Sequence, residues 1–256
     1  ALEPTVKISD HDPIMFQETP APYWRQERTK RRNQQFEEAH LTDRHEYADD
    51  HFTGASGGTY YGGDALPKDY YGSIFTGEVA GNLIHRDGLK HSATGPQFIA
   101  QRATQEKAHE FLASTDPWFR PVNFTVGPDG ALYVVDMYRQ HIETPTAIPE
   151  DLKADMDFMN GSQLGRIYRV ADKGSKAAIV QPKLRNKTSA QLVGLLAHTN
   201  QWWRLQAQRL LLEKQDKSII PALREMLTNH TDPRARLHAF FTLEGLNALD
   251  IATVKQ

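Results

Sequence analysis

The stretch "STDPWFRPVNFTVGPDGALYVVDMYRQHIE", Ser114–Glu143, decides how the chain reads. "RPVNFTV" and "ALYVVDMY" are short β-rich runs. "GPDG" between them is turn chemistry, with a glycine free to take φ > 0. The stretch is therefore a β-hairpin. It also carries side chains that a hairpin does not require: Trp118, Arg120, Asp136, Tyr138, Arg139 and His141.

Working outward, the same cadence precedes and follows it. Upstream, "GGTYY", "SIFTGEV", "NLIHRD" and "PQFIAQR" alternate with turn residues, and "GGDALPKDYYG" is loop. Downstream comes an insertion at about 140–162 and then the strand "GRIYRV". Each unit runs strand, turn, strand, then a strand bearing Arg86 or Arg169. Repeated units of three or four short antiparallel strands are the signature of propeller blades.

Beyond residue 175 the composition shifts to Leu and Ala at helical spacing. "RLQAQRLL" (204–211) and "RLHAFFTL" (236–243) share Arg, Leu, Ala and Leu at equal offsets. Helices are expected near 189–198, 201–214, 218–228 and 232–247. Asp232 would serve as N-cap, with Pro233 at the first helical position. Such helix pairs resemble HEAT-type repeats. Two repeats are fewer than an independent array needs, so the array should pack on the β region or continue past Gln256.

The fold class expected is thus β + α: a partial β-propeller of about two blades, then an α-helical HEAT-like solenoid. Three regions follow: a charged, partly looped segment at 1–52, propeller blades at 53–175 and helical repeats at 188–256. A closed propeller needs at least four blades. Either the chain is a fragment, or another chain supplies the remainder of the propeller.

Composition narrows the function. The 256 residues carry a net charge of −2, with 39% apolar and 24% charged residues. That balance fits a packed globular protein and gives no reason to expect a nucleic-acid partner. Residues 25–32 are basic, but Glu27, Glu37 and Glu38 dilute them. No apolar run is long enough for a membrane span. The start, "ALEPTVKISDHDP", is polar and reads as no signal peptide. The absence of cysteine removes thiolate metal sites and haem attachment from this chain.

The block "DPWFRPVN…GPDGALYVVDMYR", followed by "IPEDL", "GRIYRV" and HEAT-like helices, resembles the large bacterial "membrane-bound dehydrogenase" proteins of planctomycetes. The resemblance covers about residues 53–250. It implies a propeller, HEAT repeats and usually a c-type cytochrome domain. That propeller is in turn similar to soluble quinoprotein sugar dehydrogenases. The resemblance therefore implies pyrroloquinoline quinone (PQQ) with calcium as cofactor, and haem c only on a domain or partner outside this chain. It also implies a sugar or alcohol substrate and a periplasmic or extracytoplasmic location. Of the paired arginines expected on the quinone carboxylates, Arg120 matches the second and Trp118 stands at the first; Ala80 occupies the lysine position.

Strand logic brings the hairpin's extra residues together. Arg120 begins the inner strand of its blade, and Asp136–His141 enter the loop on the same face. Arg120 and Arg139 are the candidate cofactor-binding cations, with Arg120 alternatively ion-paired to Asp116 or Asp136. Trp118 and Tyr138 would stack on a quinone or sugar ring, or pack over the channel rim. Asp136 and His141 are the candidate catalytic pair. Asp136 has two alternatives, as a calcium ligand or as the anchor of Arg120 or Arg139. No metal site is expected: His40, His45 and His51 have irregular spacing. "GASGG" (54–58) lacks a P-loop lysine and reads as close backbone packing. Trp202 and Trp203 read as anchors of the helical array. Two functions stand open: a quinoprotein-like dehydrogenase passing electrons to a cytochrome, or a non-catalytic platform binding glycans or proteins.

Overall fold

A computed structural model describes residues 15–93, 95–175 and 181–251. The reading of the first 13 residues lies outside them. The protein is mixed α/β, with two antiparallel sheets, neither closed on itself, and six α-helices among the described residues. It divides into two compact units. One takes in the chain up to Tyr60, Ser73–Phe124 and Val134–Tyr168; the other takes in Tyr61–Gly72, Thr125–Tyr133 and the chain from Arg169 on.

In the first unit, α1 (Tyr23–Glu38) precedes a sheet of consecutive strands. These are β1 (Ala55–Tyr60), β2 (Ile74–Glu78), β3 (Leu83–His91) and β4 (Phe98–Arg102), in that order across the sheet. The short β5 (Leu112–Ala113) also pairs with β3. All four expected runs are strands. Phe75, Leu83 and Ile84 are fully buried, and Phe75 packs edge-on against Phe111 at 4.8 Å. Gly77 and Gly57 explain how closely backbones approach here. A Cβ on Gly77 would lie 2.2 Å from the Pro121 carbonyl oxygen. One on Gly57, at φ +67°, would lie 2.7 Å from Asn123 Cα.

The second sheet has β6 (Pro121–Val126), β7 (Leu132–Asp136) and β8 (Arg166–Val170) in consecutive order. The turn between β6 and β7 closes as the sequence predicts. Gly127 N–H donates to the Ala131 carbonyl, and Gly130 sits at φ +78°. The expected insertion before β8 contains a 3₁₀ turn, Pro145–Ala147, and one short α-helix, α2 (Glu150–Lys153).

The second unit holds α3 (Ser189–Leu195), α4 (Gln201–Lys214), α5 (Ile220–Asn229) and α6 (Pro233–Gly245). Each lies where helical periodicity placed it. Asp232 caps α6 by accepting from the Arg234 N–H at 2.8 Å, with Pro233 behind it. Thr188 and Gln191 form a capping box at α3. The repeated Ala and Leu positions do the same work in both copies. Ala207, Leu211, Ala239 and Leu243 are all fully buried in one apolar cluster. Trp203 ties α4 to the β6–β7 turn, donating its indole N–H to the Pro128 carbonyl at 2.8 Å. Tyr61 similarly donates to the Gly130 carbonyl at 2.7 Å and accepts from the Ala65 and Leu66 N–H groups.

Candidate functional site

The hairpin's extra residues gather in the first unit, at the start of β6 and the end of β7. Backbone pairing continues past the strands there. Met137 N–H donates to the Arg120 carbonyl, and Arg139 N–H to the Trp118 carbonyl. Asp136, 1% exposed, then locks both segments. Its Oδ1 accepts from the Arg120 and Tyr138 N–H groups, each at 2.8 Å. Tyr138 consequently adopts a left-handed backbone at φ +49°.

Arg120 is 7% exposed, and its fork serves main-chain oxygens. Nε donates to the Arg139 carbonyl at 2.9 Å, one terminal nitrogen to Val79 at 2.6 Å and the other to Gln140 at 2.8 Å. Burial pushes its pKa down to about 10, against the pull of Glu143. The group stays protonated at neutral pH and joins three loop segments. It forms no ion pair with Asp116 or Asp136 among the described residues, so the ion-paired alternative expected from the sequence does not describe it. Main-chain carbonyls take that place.

Arg139 is similarly engaged, donating to the carbonyls of Gly161 and Ser162. Tyr138 meets Trp118 at 5.6 Å with rings tilted by 52°. The Arg166 guanidinium covers Tyr138 at 3.5 Å from the ring centroid. His141 is half-buried and lies 5.7 Å from the Phe158 ring. Burial lowers its pKa, and Arg120 adds to this against the opposing pull of Glu143. The imidazole is therefore neutral at pH 7. Its Nδ1, like Asp136 Oδ2, is buried without a hydrogen-bond partner among the described residues.

Sequence reasoning passed over two residues. Glu143 lies 3.8 Å from Arg25 of α1 and acts electrostatically on Arg120 and His141. Arg166 covers Tyr138. Both sit in or beside segments already singled out, but neither belongs to a local motif. Only three-dimensional proximity reveals them.

The arrangement does not fit a tricarboxylate quinone. The guanidinium that would meet its carboxylates is enclosed by carbonyl oxygens, and one face of the candidate stacking ring is already taken. Among the described residues, no three His, Asp or Glu side chains gather as a metal-ligand set. What the site does chemically is hold loops: one carboxylate and one guanidinium satisfy five backbone groups.

Residues 6–174 match a family described as a domain of unknown function (DUF7133). The chain belongs to this family. The matched span includes α1, both sheets and all six candidate site residues. No curated protein and no solved structure matches the chain. Within the DUF7133 domain, then, the site's own geometry has to carry the functional argument. No helix among the described residues is long and apolar enough to cross a membrane.

Proposed function

We propose that this chain is a sector of a larger β-propeller, continued by a HEAT-like helical array. It serves in an extracytoplasmic protein as a rigid platform for glycan or protein partners. The observation that carries this reading is the commitment of Arg120 to three main-chain carbonyls. A cation spent this way fastens a loop and has little left to offer a cofactor. The consecutive strand orders β1-β2-β3-β4 and β6-β7-β8 support the blade reading. So do the outer strands, where Phe98, Ile99 and Ile167 are 58%, 46% and 71% exposed. Large apolar side chains on unpaired edge strands are suited to a neighbouring blade.

A titration of the protein with PQQ and Ca²⁺, with and without Arg120→Ala, tests the platform reading. The reading predicts no PQQ binding by the wild type, and a variant that loses only stability. Binding that is saturable and depends on Arg120 would overturn it.

A second reading is favoured by two buried atoms of the site, Asp136 Oδ2 and His141 Nδ1, which lack a hydrogen-bond partner among the described residues. In it, the whole assembly is a quinoprotein-like dehydrogenase oxidising a sugar or alcohol and delivering electrons to a cytochrome. Cofactor contacts would come from other blades, and this sector would supply only a proton acceptor. A neutral His141 is in the right state to take a proton. His141→Gln should then abolish sugar oxidation by the assembly while leaving its fold unchanged.

A further inference from the structure

The second unit carries a groove of about 530 Å³ along one stripe of α4. Leu184, Arg185, Trp202, Gln206, Arg209 and Lys214 are among its walls. The volume is in the range of small-ligand sites. Leu184 is buried and Trp202 half-buried, so the floor is apolar and fixed. The rim is exposed and mostly cationic.

The cations differ in availability. Arg209 is tied to Gln206 at 3.1 Å and to Glu213 at 3.0 Å. Arg185 and Lys214 form no ion pair among the described residues, although Asp216 feels the charge of Lys214. Glu213, also lining the groove, is the one carboxylate there, and Arg209 neutralises it. The Trp202 indole N–H, unlike that of Trp203, makes no hydrogen bond among the described residues.

We propose that this groove binds an acidic sugar, a uronate or a short oligomer of one. A pyranose presents a C–H face to an indole ring and hydroxyls to an amide, and its carboxylate suits a guanidinium or ammonium. The groove offers all three within the size of one or two sugar rings. An acidic peptide is the weaker candidate, because among the described residues no sheet strand lines the groove to hold an extended backbone. The inference names a ligand class for the platform reading and extends it, but stands on residues of the second unit alone.

The test is calorimetric titration of the full chain with tri-galacturonate. A neutral trisaccharide and a polyglutamate peptide are the comparisons. Saturable binding of tri-galacturonate is expected, weakening with salt and at least tenfold weaker in Arg185→Glu/Lys214→Glu. Both substitutions are on the exposed rim, so circular dichroism should be unchanged. Trp202→Phe keeps the packing and should remove the accompanying fluorescence change. Three results overturn the inference: no binding at millimolar sugar, equal binding by the double variant, or equal affinity for polyglutamate. Each concerns the groove only, so the propeller reading is tested separately.

Discussion

Asp136 and Arg120 show how two charged side chains can be absorbed by the main chain. Hydrogen bonds to charged groups contribute about 1.5–3 kcal/mol each. Arg120→Lys keeps the charge but loses the planar fork that reaches three carbonyls. It should destabilise the protein by about 2–4 kcal/mol in urea unfolding. Asp136→Ala removes the acceptor of two buried N–H groups and should cost a similar amount, whereas an unchanged midpoint would deny the locking role. The gathering of these residues was legible in the sequence, because strand alternation and hairpin geometry place them at one end of two paired strands. Their partners were not legible. Carbonyl oxygens carry no sequence signature, and a fork aimed at three of them reads the same as one aimed at a ligand. His85 adds a titratable contact elsewhere in the first unit. It lies 2.8 Å from Glu110 and 3.2 Å from Asp87, and Glu110 also binds Arg102 at 2.9 Å. Burial opposes protonation, but the hydrogen bonds with Asp87 and Glu110 outweigh it and raise the pKa to about 9. The folded pKa exceeds the unfolded value near 6.5. The stabilisation is thus complete below about pH 6.5 and lost as pH rises through about 9. Unfolding free energies measured between pH 6 and 10 should fall over that window, and His85→Gln should flatten the decline.

Among the elements, helices and strands were legible for different reasons. Helices α3–α6 follow from apolar spacing and from caps written in the sequence, Asp232-Pro233 above all. Hydrogen bonding with Arg234 overcomes burial and holds the Asp232 carboxyl down to about 2, so the cap stays charged across ordinary pH. Replacing Asp232 by Ala should cost about 1 kcal/mol, and by Asn only a few tenths. Strands β1–β4 follow from turn residues at short intervals. The two-residue β5 was missed because so short a run has no periodicity of its own. The burial of Trp24, Arg25 and Thr29 on α1 was also missed. Its sequence, YWRQERTKRRNQQFEE, has no apolar stripe to mark a buried face, and its ion pairs to Glu143 and Asp151 join residues far apart in the chain. Glycine has a definite role at one strand position. Gly77→Ala would drive a Cβ against a backbone oxygen that has no freedom to withdraw. A loss of about 1–3 kcal/mol is expected by thermal unfolding. A neutral result would mean that β2 and the start of β6 are less closely packed than described.

For the whole molecule, the governing fact is that neither sheet closes. Sheets end in unpaired strands unless something covers them, and proteins usually blunt such edges with charge, proline or short length. Here Ile167 on β8 and Phe98 on β4 are large, apolar and exposed. The family match covers both sheets and does not extend over the helices α3–α6, so the helical array is a separate problem with its own core. The propeller-sector reading makes one requirement above all, that other strands complete what these sheets begin. The decisive measurement is the mass of the native particle containing this chain, with every polypeptide in it identified. The account predicts a particle well above 29.0 kDa, holding further β-rich sequence in the same or another chain. A soluble, folded monomer of this chain's mass, with nothing else bound, would contradict it.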